Sequence, residues 1–259
     1  MSNPSIDLNI EGNVAVLTMN NPPANTWTQD TLTALKDTVT ELNANKNVYA
    51  LVITGQGEKF FSAGADLNVF ASGDKGVAAT MSKVFGDAFE ALTNFRGVSI
   101  AAINGYAMGG GLEVALACDI RIAEEQAQMA LPEAKVGLLP CAGGTQNLAW
   151  LVGEGWAKRM ILCGERLKAD KAREIGLVEE VVGTGESLAA AMKLANQVGE
   201  QSPVAVTACK ELIQKGRTQP MAHALPLERE LFVQLFDTQD QKEGVNAFLE
   251  KRKANWVNG

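Results

Sequence analysis

Short apolar segments alternate with longer segments of helical periodicity along the first part of the chain. Segments 6–10 and 14–19 flank a Gly-Asn turn, which predicts an antiparallel hairpin that leads into a buried strand. Between 28 and 42 apolar residues recur at three- and four-residue steps, which predicts a helix. Segment 49–55 is apolar and predicts another buried strand. The order of these segments favours an α/β fold.

The same alternation continues to about residue 195 and then changes. Apolar residues at helical spacing over 81–92 predict an amphipathic helix that precedes a strand at 99–103. The apolar stripes between 227 and 249 have helical spacing only. We therefore expect an α/β core over 1–195 and a helical C-terminal region over 196–259.

The composition is that of an ordinary globular protein. Of 259 residues, 46% are hydrophobic and 20% are charged, and the formal net charge is −7. This negative net charge argues against an extended nucleic-acid-binding surface. Charged residues and glycine clusters interrupt every apolar run before it reaches the length of a membrane span, and the first residues lack the order of a signal peptide. We expect a cytoplasmic protein that binds neither nucleic acid nor membranes.

The cysteines and the histidine predict no metal or nucleophilic site. Cys118, Cys141, Cys163 and Cys209 form no Cys-x-x-Cys pair, so we expect reduced, mostly buried thiols and neither zinc ligands nor disulfides. His223 is the only histidine, and the sequence has no Gly-x-Ser-x-Gly motif. Dinucleotide-binding and Walker-type glycine motifs are also missing. Other glycine-rich segments are therefore the candidates for chemistry.

A glycine-rich turn followed by a carboxylate is the most informative segment. The apolar run 99–103 leads to Gly109, Gly110 and Gly111, and Glu113 lies three residues after Gly110. Glycine lets a ligand approach the backbone, and the first turn of a helix has unpaired N–H groups that attract negative charge. The combination predicts backbone donors and an acid or base around one reacting centre. Taken alone, Glu113 is more often only a favourable partner of the helix dipole.

Two further segments have a similar character. Segment 130–146 places Glu133 after a proline that can begin a helical turn, and a second glycine-rich loop follows. Segment 59–67 has the small residues of a loop that offers backbone donors. Alone, Glu133 is more often a solvated first-turn residue, and segment 59–67 is equally an ordinary Ala/Gly turn capped by Asp66. The three segments together carry more weight than any one of them.

In this order and at these separations, the three segments resemble the enoyl-CoA hydratase/isomerase (crotonase) family, and the resemblance runs nearly end to end. It implies a crotonase (ClpP-like) fold, in which repeated ββα units form a superhelix. It also implies a helical C-terminal region that drives formation of a trimer, or of a hexamer made of two stacked trimers. The C-terminal helices predicted above match this expectation.

The resemblance implies that the chain adds water to the 2,3 double bond of a 2-enoyl-CoA to give a 3-hydroxyacyl-CoA. Backbone N–H groups of Ala65 and Gly110 would form an oxyanion hole for the thioester enolate. Glu113 would orient and deprotonate water for attack at the β-carbon, and Glu133 would deliver a proton to the α-carbon. One carboxyl must then be protonated while the other is ionised, a division that a dry pocket can maintain.

The resemblance also implies how the substrate is held. The acyl-CoA thioester would be the ligand, CoA would be part of the substrate, and neither a separate cofactor nor a metal would be needed. Ala63 would lie nearer the adenine, whereas segment 64–68 would approach the thioester. Residues implied to contact the substrate or CoA are Ala63, Ala65, Asp66, Leu67, Asn68, Gly110, Cys141, Phe248 and Lys251. For Lys251, a solvated helix face is an equally good interpretation.

One departure from the family pattern leaves alternatives open. Many hydratases have glycine where this chain has Cys141, and cysteine adds a side chain next to the water while it retains the N–H group. Hydration is then slower, or the pocket is specialised. An isomerase of the same fold is one alternative, although two matching glutamates favour hydration. A non-catalytic acyl-CoA-binding protein is the other, and tight binding without product would reveal it.

Overall fold

Strands and helices alternate in the computed structural model, which describes residues 5–259. The strands are β1 Ile6–Glu11, β2 Val14–Met19, β3 Ala50–Gly55, β4 Phe60–Ser62, β5 Val98–Ile103, β6 Tyr106–Met108, β7 Ile120–Glu124, β8 Gln128–Ala130, β9 Leu167–Lys168 and β10 Glu180–Val182. The helices are α1 Gln29–Ala44, α2 Lys75–Thr93, α3 Gly110–Ala117, α4 Gly144–Leu162, α5 Ala169–Glu174, α6 Ser187–Val198, α7 Pro203–Lys215, α8 Met221–Gln234 and α9 Gln239–Leu249. Short 3₁₀ helices cover Leu67–Phe70, Glu133–Val136 and Leu235–Asp237.

The strands form a large and a small sheet, and the chain passes repeatedly from one to the other. The large sheet has the order β1-β2-β3-β5-β7-β10, and the small sheet has the order β4-β6-β8-β9. β1 and β2 are the predicted antiparallel hairpin, whereas β2, β3, β5, β7 and β10 are parallel neighbours. Strands β3 and β4 precede α2, and β5 and β6 precede α3. This repetition is the predicted ββα arrangement.

The central strand β3 shows why the large sheet is buried on both faces. All of its residues are buried, as expected for a strand between two parallel neighbours. Leu51 and Ile53 belong to the main core, which α1 and α2 cover. Ala50 and Val52 point to the opposite face and pack with alanines of α6. Alternate residues of one strand therefore bind the two helical layers.

Local sequence signals set the ends of α1 as expected. Thr28 precedes the helix, and its hydroxyl accepts a hydrogen bond from the Thr31 amide. The Thr31 hydroxyl in turn accepts from the Thr28 amide at 2.8 Å, which completes a capping box. Leu32, Leu35 and Val39 are buried on one face of the helix. The predicted spacing of the apolar residues therefore faces the core.

The boundary predicted at residue 195 falls inside α6, which packs against the large sheet. The division into two regions stays a prediction. Helix α7 is bound to the core through the ammonium group of Lys210, which donates to the carbonyl oxygens of Phe95 and Gly97 at 2.6 and 3.0 Å. The same ammonium group contacts the Asp119 carboxylate at 2.7 Å. The first C-terminal helix is thus firmly attached to the α/β core.

The cysteine prediction was partly wrong. Cys118 is buried, but Cys141, Cys163 and Cys209 are exposed, and all four thiols are free. Free cysteines are usually buried, which is why burial was expected. These three residues are exposed because they lie in loops or on outer faces of helices. Within residues 5–259, no group of three or more His, Cys, Asp or Glu side chains is arranged to hold a metal ion. Over the same range, no helix is long and apolar enough to cross a membrane.

Candidate active site

The carboxyl ends of three parallel strands bring the predicted segments together. Strands β4, β6 and β8 are parallel neighbours, with Ala107 opposite Ser62 and Met108 opposite Ala130. The carboxyl ends of parallel strands lie at one edge of a sheet, where ligands commonly bind. The chain leaves β4 towards Ala65, β6 towards Gly110 and β8 towards Glu133. Three segments that are distant in sequence therefore meet at one edge.

The loop after β4 leaves one backbone donor free. Gly64 has a φ of +89°, and a Cβ atom on it would lie 2.5 Å from the Met108 carbonyl oxygen and 3.0 Å from the Gly110 nitrogen. Glycine is therefore required for this close approach. The neighbouring amides of Gly64 and Asp66 donate to Ser62 Oγ and to the Trp27 carbonyl oxygen. Among the described residues, the amide of Ala65 has no acceptor.

A second free donor begins α3. Gly109 precedes the helix with a φ of 54°, and its amide donates to the Ala130 carbonyl oxygen at 2.9 Å. Gly110 is the first helical residue, so its N–H has no acceptor within the helix. The Gly64 contact places this N–H beside the loop that carries Ala65. Two free donors on adjacent loops can stabilise negative charge on one ligand oxygen.

Glu113 is a buried carboxylate held by a second loop. Its residue is 2% exposed, and it lies in the first turn of α3. Its Oε1 atom accepts from the amides of Ala142 and Gly144 at 2.8 and 2.9 Å. Burial raises the pKa of the Glu113 carboxyl, and the two amide donors oppose that rise. The loop at 142–144 therefore orients the carboxyl group and favours its ionised form.

Glu133 has the opposite environment. Both carboxyl oxygens are buried, and no other described residue donates a hydrogen bond to them. Burial raises the pKa of Glu133 to about 7; the residue's own backbone amide opposes this rise, and the charge of Glu113 adds to it. A Cβ atom on Gly109 would lie 3.2 Å from Glu133 Oε1, so glycine leaves room for the carboxyl beside the turn. Glu133 is thus able to hold or release a proton near neutral pH.

The two glutamates also act on Cys141. Although the Cys141 residue is exposed overall, its thiol is partly shielded from solvent. This desolvation, followed by the charges of Glu113 and Glu133, raises the pKa of the Cys141 thiol to about 11. The thiol therefore stays protonated at neutral pH and is a weak nucleophile. The charges of both carboxyl groups thus affect the protonation of the Cys141 thiol.

A family model described as enoyl-CoA hydratase/isomerase matches residues 9–259. The chain belongs to this family. It is 41% identical to the short-chain-enoyl-CoA hydratase of Clostridium acetobutylicum, over 96% of each protein. The fold is similar to a solved structure of Pseudomonas aeruginosa DspI, with 63% identity, a TM-score of 0.97 and coverage of 99% of this chain and 98% of that chain.

A crystal structure of an enoyl-CoA hydratase from Bacillus anthracis is also similar, with 35% identity, a TM-score of 0.95 and coverage of 98% of this chain and 100% of that chain. The predicted crotonase fold is therefore confirmed. The site at the edge of the small sheet lies within the part of the chain that matches the enoyl-CoA hydratase/isomerase family.

The remaining candidate residues fall into two groups. The first group lies in or next to the loop after β4. The Asp66 carboxylate accepts a hydrogen bond from the Asn68 amide at 3.0 Å and so caps the 3₁₀ helix Leu67–Phe70, as expected for a turn capped by Asp66. Ala63 lies in the same loop and donates its amide to the Ala24 carbonyl oxygen. Leu67 and Asn68 follow this loop, in the 3₁₀ helix, and are exposed.

Phe248 and Lys251 form the second group. Phe248 lies in the last turn of α9 and is 82% exposed, and Lys251 lies just beyond the helix. The described hydrogen bonds and ion pairs do not join either residue to the elements that carry Glu113 and Glu133. Their contact with CoA stays a prediction.

Sequence reasoning missed the groups that hold the site residues in place. Ala142 and Gly144 act through their amides, which any residue type provides, so their only signal was the glycine-rich character of the loop after Pro140. Trp27 was also missed. It lies in a loop between β2 and α1 and contacts Gly64 and Asp66 through an isolated β-bridge. A single bridge has no periodic sequence pattern from which it could be predicted.

Proposed function

We propose that the chain is an enoyl-CoA hydratase, which adds water across the 2,3 double bond of a 2-enoyl-CoA to give a 3-hydroxyacyl-CoA. The observation that carries the proposal is the contrast between two neighbouring glutamates beside two free backbone donors. Glu113 accepts two amide hydrogen bonds from a neighbouring loop, whereas Glu133 accepts none from another described residue and has a pKa of about 7. Carboxyl groups with such different environments suit the roles of base and acid.

In the proposed reaction, the Glu113 carboxylate takes a proton from water as the water oxygen bonds to C3 of the substrate. The π electrons of the double bond move towards the thioester, and Glu133 gives its proton to C2. The bond between oxygen and C3 and the bond between hydrogen and C2 form, and one O–H bond of water breaks. Glu113 then returns its proton to Glu133, directly or through solvent, which restores both groups.

The free amides of Ala65 and Gly110 supply the third requirement. As C3 is attacked, negative charge develops on the thioester oxygen, and two preorganised N–H donors stabilise that charge. Removal of one such donor in an enzyme typically costs about 3 kcal/mol of transition-state stabilisation. Since these donors are backbone groups, side-chain truncation at Ala65 leaves them in place.

The relatives support the substrate class. A relative named short-chain-enoyl-CoA hydratase and a structure titled enoyl-CoA hydratase cover nearly the whole chain. In this proposal CoA enters as part of the substrate. We also propose that the chain forms a homo-oligomer, a trimer or a hexamer, because α8 and α9 expose Phe232, Val233, Phe248 and Leu249. Apolar surface of this kind marks protein interfaces, and sedimentation analysis measures the assembly directly.

The test follows the loss of conjugated enoyl-thioester absorbance with 2-enoyl-CoA esters of increasing chain length, and identifies products by mass. Wild type is compared with Glu113→Gln and Glu133→Gln. The matched control is Glu154→Gln, which changes an exposed glutamate paired with Lys158 on α4. We expect hydrated product from wild type and the control, and a loss of at least 100-fold in turnover for each active-site variant.

Two results would contradict the proposal. Near-normal turnover in either active-site variant would remove its glutamate from the mechanism. Tight binding of 2-enoyl-CoA by wild type without hydrated product would remove the hydratase assignment. In that case, conversion of 3-enoyl-CoA would identify an isomerase, whereas binding without any conversion would identify a non-catalytic acyl-CoA-binding protein.

A further inference from the structure

Trp27 contacts both loops that carry the free donors. Its amide donates to the Gly64 carbonyl oxygen at 2.8 Å, and its carbonyl oxygen accepts from the Asp66 amide at 3.0 Å. These two bonds form a parallel bridge opposite Ala65. The Ala65 amide is thereby held between two bonded neighbours and remains free itself. The backbone of Trp27 fixes the first donor.

The side chain of Trp27 reaches the second donor. A Cβ atom on Gly110 would lie 3.4 Å from Trp27 Cδ1 and 3.0 Å from Phe85 Cε1, so the two rings pack directly against the first residue of α3. Trp27 also packs edge-on against Phe89, with ring centroids 5.7 Å apart. The residue is only 2% exposed. Trp27 therefore contacts the loop after β4 through its backbone, and the start of α3 and helix α2 through its ring.

Contacts on two sides fix the distance between the donors. On one side Gly64 lies against Met108 and Gly110 so closely that it has no space for a side chain. On the other side the indole ring lies against Gly110. Interiors are close-packed, and a ring with contacts on several sides cannot shift without opening a void. Truncation of the Trp27 ring would remove one of the two rings that pack against Gly110, which gives Gly110 space to move, but would leave the backbone bridge to Ala65.

Packing carries this role, and a hydrogen bond does not. The indole Nε1–H is buried and has no acceptor among the described residues. Phenylalanine keeps an aromatic ring at this position and lacks the unpaired donor. Alanine keeps the backbone bridge and lacks the ring. The two substitutions therefore distinguish the contribution of the ring from that of the indole N–H group and from that of the backbone bridge.

We propose that Trp27 is a positioning residue, whose ring holds the amide of Gly110 at the distance from the amide of Ala65 that a thioester oxygen requires. The inference rests on the proposed function in one respect, namely that these two amides bind the thioester oxygen. A displacement of about 1 Å in a reacting group lowers a rate by about 100-fold. Trp27 thus affects the transition state more than the binding of the ground state.

The experiment has a kinetic and a spectroscopic part. Steady-state hydration of 2-butenoyl-CoA is measured for wild type, Trp27→Phe, Trp27→Leu and Trp27→Ala. The carbonyl stretch of bound butanoyl-CoA, labelled with ¹³C at C1, is measured by difference infrared spectroscopy. This saturated ester does not react, so its carbonyl frequency reports the hydrogen bonds to the thioester oxygen without turnover. Phe95→Ala is the control, because Phe95 is also a fully buried aromatic residue.

We expect Trp27→Phe to retain kcat within about threefold and the full carbonyl shift. Trp27→Ala should lose about 10- to 100-fold in kcat with KM changed less than about threefold, and should lose most of the carbonyl shift. Trp27→Leu should fall between them, and it serves as the test if the alanine variant does not fold. The control should keep both kcat and the carbonyl shift.

A folded Trp27→Ala or Trp27→Leu protein with wild-type kcat and carbonyl shift would overturn the inference. An equal loss in Phe95→Ala would also overturn it, because the effect would then be general to buried cavities. The two proposals fail separately. If wild type hydrates no enoyl-CoA but shifts the carbonyl of butanoyl-CoA in a way that depends on the Trp27 ring, the hydratase proposal fails and the positioning role stands.

Discussion

Replacement of Glu133 by glutamine should change how the stability of the protein depends on pH. Burial raises the pKa of Glu133 to about 7 from an ordinary value of 4.5. Below pH 4.5 the carboxyl is protonated in both the folded and the unfolded protein. Between pH 4.5 and 7 the unfolded protein releases this proton while the folded protein retains it, so the free energy of unfolding falls as pH rises. Glutamine has no proton to release and removes this loss.

The structure gives the size of the effect. Each pH unit between the two pKa values is worth about 1.36 kcal/mol, so the full difference corresponds to about 3.4 kcal/mol. Part of the Glu133 residue is exposed, although its carboxyl oxygens are buried. Solvent screens the charge to some extent, and we therefore expect about 2 kcal/mol. The variant should gain this amount relative to wild type between pH 4.5 and 8.

Urea unfolding at half-unit steps from pH 4.5 to 8 measures the effect for wild type, Glu133→Gln and the exposed control Glu154→Gln. Glu113 is present in all three proteins, so its own titration largely cancels in the differences. The difference between Glu133→Gln and wild type should rise with pH and level off above pH 7, whereas the control should show no such rise. A flat difference, or one that falls with pH, would refute the raised pKa and with it the assignment of Glu133 as the proton donor.

Three further predictions concern other parts of the molecule. In Gly144→Ala, the new methyl group would lie 2.8 Å from Glu113 Oε1, so the carboxyl group must move. Turnover should then fall about tenfold or more in the absorbance assay. Unchanged turnover would contradict the claim that the loop amides orient the Glu113 carboxyl group. Lys210→Met removes the ammonium group from the partly buried carboxylate of Asp119 and from two carbonyl oxygens. Urea unfolding should show a loss of about 3 kcal/mol, and a loss below about 1 kcal/mol would count against this attachment of α7. Cys141 and Cys163 are both exposed, but the pKa of the Cys141 thiol is about 11. At pH 8, Cys141 should therefore react with iodoacetamide about tenfold more slowly than Cys163, as followed by peptide mass spectrometry; equal rates would contradict the raised pKa.

Features governed by local sequence were predictable. The hairpin at 6–19 follows from alternation around a Gly-Asn turn, and the start of α1 follows from Thr28 ahead of apolar residues at helical spacing. The location of Glu113 in the first helical turn after glycine was also predicted, as was the short helical turn at Glu133. Each of these features depends on contacts between residues close in sequence, so a single segment contains the whole signal.

Features governed by distant contacts were not predictable from the residues. Nothing in segment 142–144 shows that its amides point at a carboxyl group 29 residues earlier along the chain. The contact of Trp27 with Gly110 joins segments that become neighbours only when β4 and β6 pair. The exposure of Cys141 and Cys209 likewise depends on which face of a loop or helix lies outward. The family resemblance indicated the candidate reacting groups, and the structure shows which contacts hold them.

One measurement tests the central claim most directly. A 2-enoyl-CoA is incubated with wild type, Glu113→Gln and Glu133→Gln in ¹⁸O-labelled water and, separately, in deuterium oxide, and the acyl product is fragmented in a mass spectrometer. The proposed reaction predicts one ¹⁸O at C3 and one deuterium at C2 with wild type, and neither label above background with the two variants. Product without label at these positions, or full labelling by either variant, would contradict hydration by this pair of glutamates.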